Sequence, residues 1–249
     1  MVGHDDQRAP LHYSCRTVTA APTEMNPMQQ AVVDALGKSP DWSPLPRNVV
    51  EDVRTHLNEQ LADIAARFSK EDPLWVSKRL LTTIHGCEAH HVASKNSFEW
   101  TPAVSESSAR YEMFGGAIVL GTKADLTLGT ADQKVIIDVK SGGLHASHRE
   151  DLRFYALVEA LRSGMAPRRL ATYSLAAARA DVEDVSEGVL QAAVRRVVHG
   201  VRTIVAVELD GREPTKRPAV HCRWCPLRES CVEGAAFLSR EPLDEDDEI

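Results

Sequence analysis

Between Ala117 and Lys140 the hydrophobic period of this chain changes, and that change limits the folds open to it. Upstream, Val50, Val53, Leu57, Leu61, Ile64 and Phe68 recur three or four residues apart, the spacing of one buried helical face between Val49 and Phe68. AIVLGTKADLTL (117–128) and KVIIDVK (134–140) are instead short, β-branched and joined by the turn-like GTADQ, which predicts an antiparallel pair of strands. Helical spacing then returns. Ser147, with Glu150 three residues on, reads as a capping box ahead of Phe154, Leu157, Val158 and Leu161, and Gly164 and Pro167 stop that helix. A strand at Leu170–Ala176 follows, then a helix over Ser186–Leu209 with Leu190, Val194, Val197, Val201, Ile204 and Val205 on one face. A shorter helix starts at Ser77, a plausible N-cap, and carries Leu80, Leu81 and Ile84 toward Cys87 and Val92. Strands framed by helices predict an α/β fold.

The 249 residues suffice for one sizeable core. The formal charge of −7 is carried largely by the last nine residues, Glu241–Ile249, six of them acidic. Leu190–Arg228 has the opposite bias, eight Lys or Arg against three Asp or Glu, a surface able to face a polyanion, with Arg195, Arg196, Arg202, Lys216 and Arg217 as candidate phosphate contacts or, for several of them, a solvated helix face. Residues 1–46, with Pro10, Pro22, Pro27, Pro40, Pro44 and Pro46, read as a loosely ordered arm with room for one short helix near Met28–Leu36, and residues 235–249 as an acidic tail. MVGHDDQRAP lacks the pattern of a secretory signal, and no apolar run approaches the roughly 20 uncharged residues of a membrane span. A soluble cytoplasmic protein is the expectation.

Two constellations carry chemistry. In KVIIDVK the side chains alternate, so Asp138 and Lys140 share one strand face while Val135, Ile137 and Val139 take the other. Folding the hairpin brings Asp125 toward Asp138. Two converging carboxylates suit a hard divalent ion such as Mg²⁺ or Mn²⁺, and a neighbouring lysine can orient an attacking water, which is machinery for phosphodiester hydrolysis. The plainer alternative is a surface ion pair between Asp138 and Lys140, with Asp125 a turn residue. Against it, apolar residues flank Asp138, a costly place for a charge, and Gly142 and Gly143 leave room for a ligand backbone. Asp151 and Tyr155, four apart on the next helix, either line the same cleft or form a polar flank.

The second constellation is Cys222-Arg-Trp-Cys225-Pro-Leu-Arg-Glu-Ser-Cys231, with Cys87 a distant fourth; Cys15, in the arm, is incidental. Three thiols this close argue for a metal rather than unrelated buried cysteines, and the spacing alone leaves zinc and a cubane iron-sulfur cluster equally open. Arg223 and Arg228 can offset thiolate charge. His90 and His91, just after Cys87, are the candidate histidine ligands.

The order Cys87, G121-T-K-A-D125, D138-V-K140, D151-L-R-F-Y155, C222-x2-C-x5-C231 resembles the RecB-like branch of the PD-(D/E)XK nuclease superfamily, in particular its iron-sulfur members, which include the AddB nuclease domain and the CRISPR-associated spacer-acquisition exonucleases. The resemblance covers about Ser77–Gly234. It implies a restriction-endonuclease-like core over residues 47–234, a mixed central sheet flanked by helices and closed by an iron-sulfur staple. It further implies Asp125, Asp138 and the Val139 carbonyl as ligands of Mg²⁺ or Mn²⁺, with His91 a candidate additional ligand, Lys140 and Tyr155 as catalytic groups, and a 4Fe-4S cluster on Cys87, Cys222, Cys225 and Cys231. The implied activity is DNA cleavage, exonuclease-like, in repair or recombination, with DNA and a helicase or other repair protein as partners. Two features depart from the branch: Asp151 stands where glutamine is usual, and the stretch from Cys87 to Gly116 lacks the usual upstream histidine or glutamate motif, as though a segment were lost, leaving His90, His91, Glu106 or Glu112 as substitutes. The rival readings are a catalytically degenerate iron-sulfur protein of the same fold that binds nucleic acid or a partner, and a zinc-binding structural domain.

Overall fold

The computed structural model describes residues 43–89, 107–128 and 133–240. The arm to residue 42, the tail from 241, and the candidates His90, His91 and Glu106 lie outside the described residues. Among the described residues seven strands form two sheets: β1 (Leu74–Ser77), β2 (Ser107–Met113), β3 (Ile118–Ala124), β4 (Leu126–Leu128), β5 (Val135–Lys140), β6 (Arg169–Ser174) and β7 (Arg179–Asp184). The first sheet has the order β1-β3-β2 and the second β4-β5-β6-β7. β1 runs parallel to β3 and β2 antiparallel to it; β5 runs parallel to β6, and β4 and β7 lie antiparallel on the edges. The architecture is mixed α/β with helices covering the sheets, consistent with a restriction-endonuclease-like core, but the central sheet is divided in two.

That division corrects the expected hairpin. Residues 117–128 do not pair along their length with 134–140. β3 is held between β1 and β2, and only Leu126–Leu128 meets β5, with Leu126 opposite Ile137. Asp125 is the single residue between β3 and β4, where the chain passes from one sheet to the other. The stretch read as shortened before Gly116 contains β2, which pairs with the whole of β3 from Ser107↔Ala124 to Met113↔Ile118. Its alternation was hidden because SSARYEM has few apolar residues and its outer side chains face water.

Five helices complete the described fold: α1 (Arg47–Ala65), α2 (Lys78–Gly86), α3 (Ala146–Ser163), α4 (Glu187–Glu208) and α5 (Val232–Leu238). α1 buries Val50, Val53, Leu57, Leu61 and Ile64, and α4 buries Leu190, Val194, Val197, Val201, Ile204 and Val205, so both expected stripes face the core. The Ser186 hydroxyl accepts from the Val189 N–H and caps α4. α3 begins earlier than expected. His145 is its N-cap and donates its backbone N–H to His148 Nδ1 at 3.3 Å, while Ser147 lies inside the helix and Glu150 pairs with Arg153 at 2.6 Å. Gly164 closes α3 in the left-handed conformation at φ 73°, where a residue without Cβ is least strained. α2 follows β1 without a break, and the Ser77 hydroxyl accepts from the Leu80 N–H at 3.4 Å. α2 and α4 approach closely at Gly200, where a Cβ would lie 2.3 Å from Leu81 Cδ2.

Candidate active site and cysteine cavity

β5 positions the first site through its alternation. Val135 and Ile137 join Ala171 in a small apolar cluster on one face, with Val139 against it, while Ile136 faces the main core beneath the helices. Asp138 follows two residues on, on that core side, and is only 2% exposed; Lys140, next on the same face, is partly exposed. The face thus runs from apolar to buried acid to half-exposed base within one strand end. Lys140 Nζ lies 2.8 Å from Asp138 Oδ2. That contact is an ion pair off the hydrogen-bond direction, for among the described residues no hydrogen bond reaches Oδ2. A buried carboxylate needs a compensating charge, and at this oxygen the Lys140 ammonium supplies it.

Asp125 reaches the same point from the sheet crossing. Ahead of the first residue of β4, where no strand continues beside β5, the Asp125 Oδ2 accepts the Val139 N–H at 2.7 Å, in place of a strand carbonyl. In an extended strand the N–H and C=O of a residue leave by the same edge, so the Val139 carbonyl opens on the edge that Asp125 occupies. Asp125, exposed, and Asp138, buried, therefore flank one corner of β5.

α3 supplies the wall. Asp151 and Tyr155 are 6% and 4% exposed, so they form part of the helix's buried face rather than a solvated flank. Burial raises the Tyr155 phenol well above its ordinary range, with Asp138 and then Asp151 adding to the effect. Three groups were missed in the sequence. Lys78, the first residue of α2, places Nζ 3.4 Å from Asp138 Oδ1 and 4.0 Å from Asp151 Oδ2, and 5.3 Å from the Tyr155 ring centre. Arg196 Nη1 lies 3.8 Å from Asp151 Oδ1. His148 is held below the ordinary imidazole range by burial and then by the charge of Lys140. Arg196 was expected at a phosphate-binding surface; α4 turns it inward, and its side chain is 12% exposed. The signal for Lys78 was one strand away: β1 is only four residues long, and LWVS has no run by which to recognise it.

Glu112, a possible substitute ligand, lies exposed on β2 beside Arg110 at 3.7 Å. Among the described residues no three His, Cys, Asp or Glu side chains are gathered to hold a metal ion. A divalent ion held by Asp125 and Asp138 would draw on two carboxylates, with backbone, water or phosphate oxygens needed to complete its shell.

The four thiols Cys87, Cys222, Cys225 and Cys231 line one cavity, together with Lys216, Arg217, Arg228 and Gly234. None forms a disulfide. The Sγ atoms of Cys222 and Cys231 lie 3.5 and 3.4 Å from the place a Gly234 Cβ would take, so both thiols border Gly234 at ordinary van der Waals distance. Burial raises the Cys225 thiol, a backbone hydrogen bond at Leu227 opposes this, and the neighbouring Cys222, Cys87 and Cys231 add to the rise. Polar bonds hold the two ends of this wall: Glu88 N–H donates to the Thr215 carbonyl at 3.2 Å, the Thr215 N–H to Glu88 Oε2 at 2.7 Å, and Arg212 pairs with Glu88 at 2.9 Å. Of the other basic candidates, Arg202 donates to the Gln60 carbonyl at 3.0 Å and Lys216 pairs with Glu233 at 2.9 Å, while Arg195 and Arg217 are exposed. No helix among the described residues is long and apolar enough to cross a membrane.

Comparison with known proteins gives one assignment. No curated protein matches the chain. The crystal structure of SSO0001 is similar to it at 12% identity and a TM-score of 0.40, covering 72% of this chain and 95% of that one. A family model for the PD-(D/E)XK nuclease superfamily matches residues 27–232, a span that takes in both sheets, the Asp125–Asp138–Lys140 corner and all four cavity cysteines. With well over half of its length inside that match, the chain belongs to the PD-(D/E)XK nuclease superfamily.

Proposed function

We propose that this protein is a metal-dependent deoxyribonuclease of the RecB-like branch that hydrolyses phosphodiester bonds from or near a strand end, in repair or recombination. One observation supports the reading: the Asp125 carboxylate accepts the N–H of Val139, next in sequence to Asp138, whose own carboxylate has the Lys140 ammonium at 2.8 Å. In this reading Asp125, Asp138 and the Val139 carbonyl hold Mg²⁺ or Mn²⁺, and His91 is a further ligand. The ion supplies Lewis acidity and a water of lowered pKa. Lys140 orients the attacking water and steadies charge on the phosphate. Tyr155, kept protonated, donates a hydrogen bond to a phosphate oxygen. DNA is the substrate, with a helicase or other repair protein as the associated partner.

The second part of the reading is a 4Fe-4S cluster on Cys87, Cys222, Cys225 and Cys231. These thiols line one cavity without a disulfide, with Lys216, Arg217 and Arg228 beside them. Ligation would require the four sulfurs to draw closer than they stand, since no three of them are gathered as a metal site among the described residues.

The test is degradation of end-labelled single- and double-stranded DNA by anaerobically purified protein with Mg²⁺ or Mn²⁺, against EDTA and Lys140→Ala. Metal-dependent loss of label in the wild type alone supports the reading. A specific observation favours a second one, a degenerate iron-sulfur protein that binds DNA without cutting it: two ammoniums, Lys78 and Lys140, already lie beside Asp138. Retained DNA binding with no cleavage under either metal selects it.

A further inference from the structure

Lys78 belongs to neither constellation read from the sequence. It reaches the site because β1 is parallel to β3 with Ser77 opposite Gly121, four residues before Asp125, so one small sheet delivers both Asp125 and the start of α2. Its ammonium lies between two buried carboxylates, 3.4 Å from Asp138 Oδ1 and 4.0 Å from Asp151 Oδ2. Like charges so placed away from water repel strongly unless a cation stands between them. Arg196, 3.8 Å from the other Asp151 oxygen, completes a chain of alternating charge from α4 through α3 and α2 to β5.

We propose that Lys78 is a positioning residue that fixes Asp138 relative to Asp151 and sets how tightly the site takes a divalent cation. The inference rests on the reading of Asp125 and Asp138 as metal ligands. A divalent ion on Asp138 arrives at a carboxylate that already faces Lys140 on Oδ2 and Lys78 near Oδ1. Lys140 approaches from its own strand and is the water-orienting group of the proposed reaction. Lys78 comes from a separate element, and its charge opposes the incoming ion directly. Removing that charge relieves the repulsion and leaves the Asp138–Asp151 pair short of a counter-ion, and both effects favour the divalent cation. Keeping the charge in a different shape preserves the balance.

Isothermal titration of MnCl₂ into the DNA-free full chain tests this with Lys78→Met, which keeps the length of the stem without its charge, Lys78→Arg, which keeps the charge, and Asp125→Asn. Lys78→Met is expected to bind Mn²⁺ about tenfold tighter than the wild type, or more, while Lys78→Arg stays near the wild-type value. Equal or weaker binding by Lys78→Met, with an unchanged far-ultraviolet spectrum, overturns the proposal; Lys78→Gln is the substitute if Lys78→Met does not fold. Asp125→Asn reports separately on the metal-site reading. Absence of Mn²⁺ binding by the wild type, or binding untouched by Asp125→Asn, overturns that reading, whereas Asp125-dependent binding that ignores Lys78 overturns the role of Lys78 alone.

Discussion

Gly200→Ala offers a quantitative check on the helix pair that presents Lys78. An ordinary carbon–carbon contact is about 3.5–4.0 Å. The new Cβ would stand 2.3 Å from Leu81 Cδ2, and Leu81 is fully buried, so side chain or helix must give by more than about 1 Å. Overpacking of this kind costs about 1–3 kcal/mol, while replacing glycine by alanine inside a helix returns about 1 kcal/mol. The single variant is therefore expected to be neutral to about 2 kcal/mol less stable, a fall in Tm of up to about 8 °C for a chain of this size. Leu81→Ala alone should cost about 2–5 kcal/mol by opening a cavity. In the double variant the added methyl has room, so Gly200→Ala becomes stabilising, and the cycle returns a favourable coupling of about 1–3 kcal/mol. Urea denaturation followed by far-ultraviolet circular dichroism measures all four proteins. If Gly200→Ala stabilises the wild type and the Leu81→Ala protein equally, the two helices do not meet at this point and the placement of α2 is wrong.

Other expectations follow from the site. Lys140→Ala should lower metal-dependent cleavage by about two orders of magnitude or more while DNA retention on a filter changes little. Because the folded Tyr155 keeps its proton above the ordinary phenol value of about 10, the folded state binds more protons than the unfolded one at alkaline pH, and stability falls as pH rises past 10. The stability difference between the wild type and Tyr155→Phe should accordingly shift toward the variant between pH 9 and 11, and a difference independent of pH there would refute the burial of this phenol. Asp125→Ala leaves the Val139 N–H without its acceptor at the strand corner, an expected loss of about 1 kcal/mol in urea denaturation apart from any effect on metal. Anaerobically purified wild type should be brown with about four irons per chain, and Cys222→Ser should lose most of that iron; zinc in place of iron by elemental analysis would sink the cluster reading.

How much was legible in the sequence depended on where the signal lay. The stripes of α1 and α4 were readable because burial repeats over five or six turns, and the alternation of VIIDVK put Asp138 and Lys140 on one face without reference to any other element. Cys222, Cys225 and Cys231 were grouped by spacing and Cys87 joined them through the family resemblance, and the four line one cavity. What failed was pairing. β3 looked like the partner of β5 because the two runs are adjacent and joined by a turn, but β3 is a central strand whose partners come from Leu74–Ser77 and Ser107–Met113, segments too short or too polar to announce themselves. Lys78 and Arg196 were illegible for the same reason, since each meets Asp138 or Asp151 only through a long-range contact between helices and strands. The start of α3 was misjudged because an imidazole pair, His145 and His148, took over the capping expected of a hydroxyl and a carboxylate.

The bonds between Glu88 and the Arg212–Thr215 segment bear on assembly. They close the long loop between the first cysteine and the other three with backbone and ion-pair contacts that involve no sulfur. The entropy of bringing residues 87 and 222 together is therefore already spent by the protein itself. A cluster on these thiols, as proposed, would not be needed to bring the two segments together, so its loss to oxidants should leave the two sheets in place.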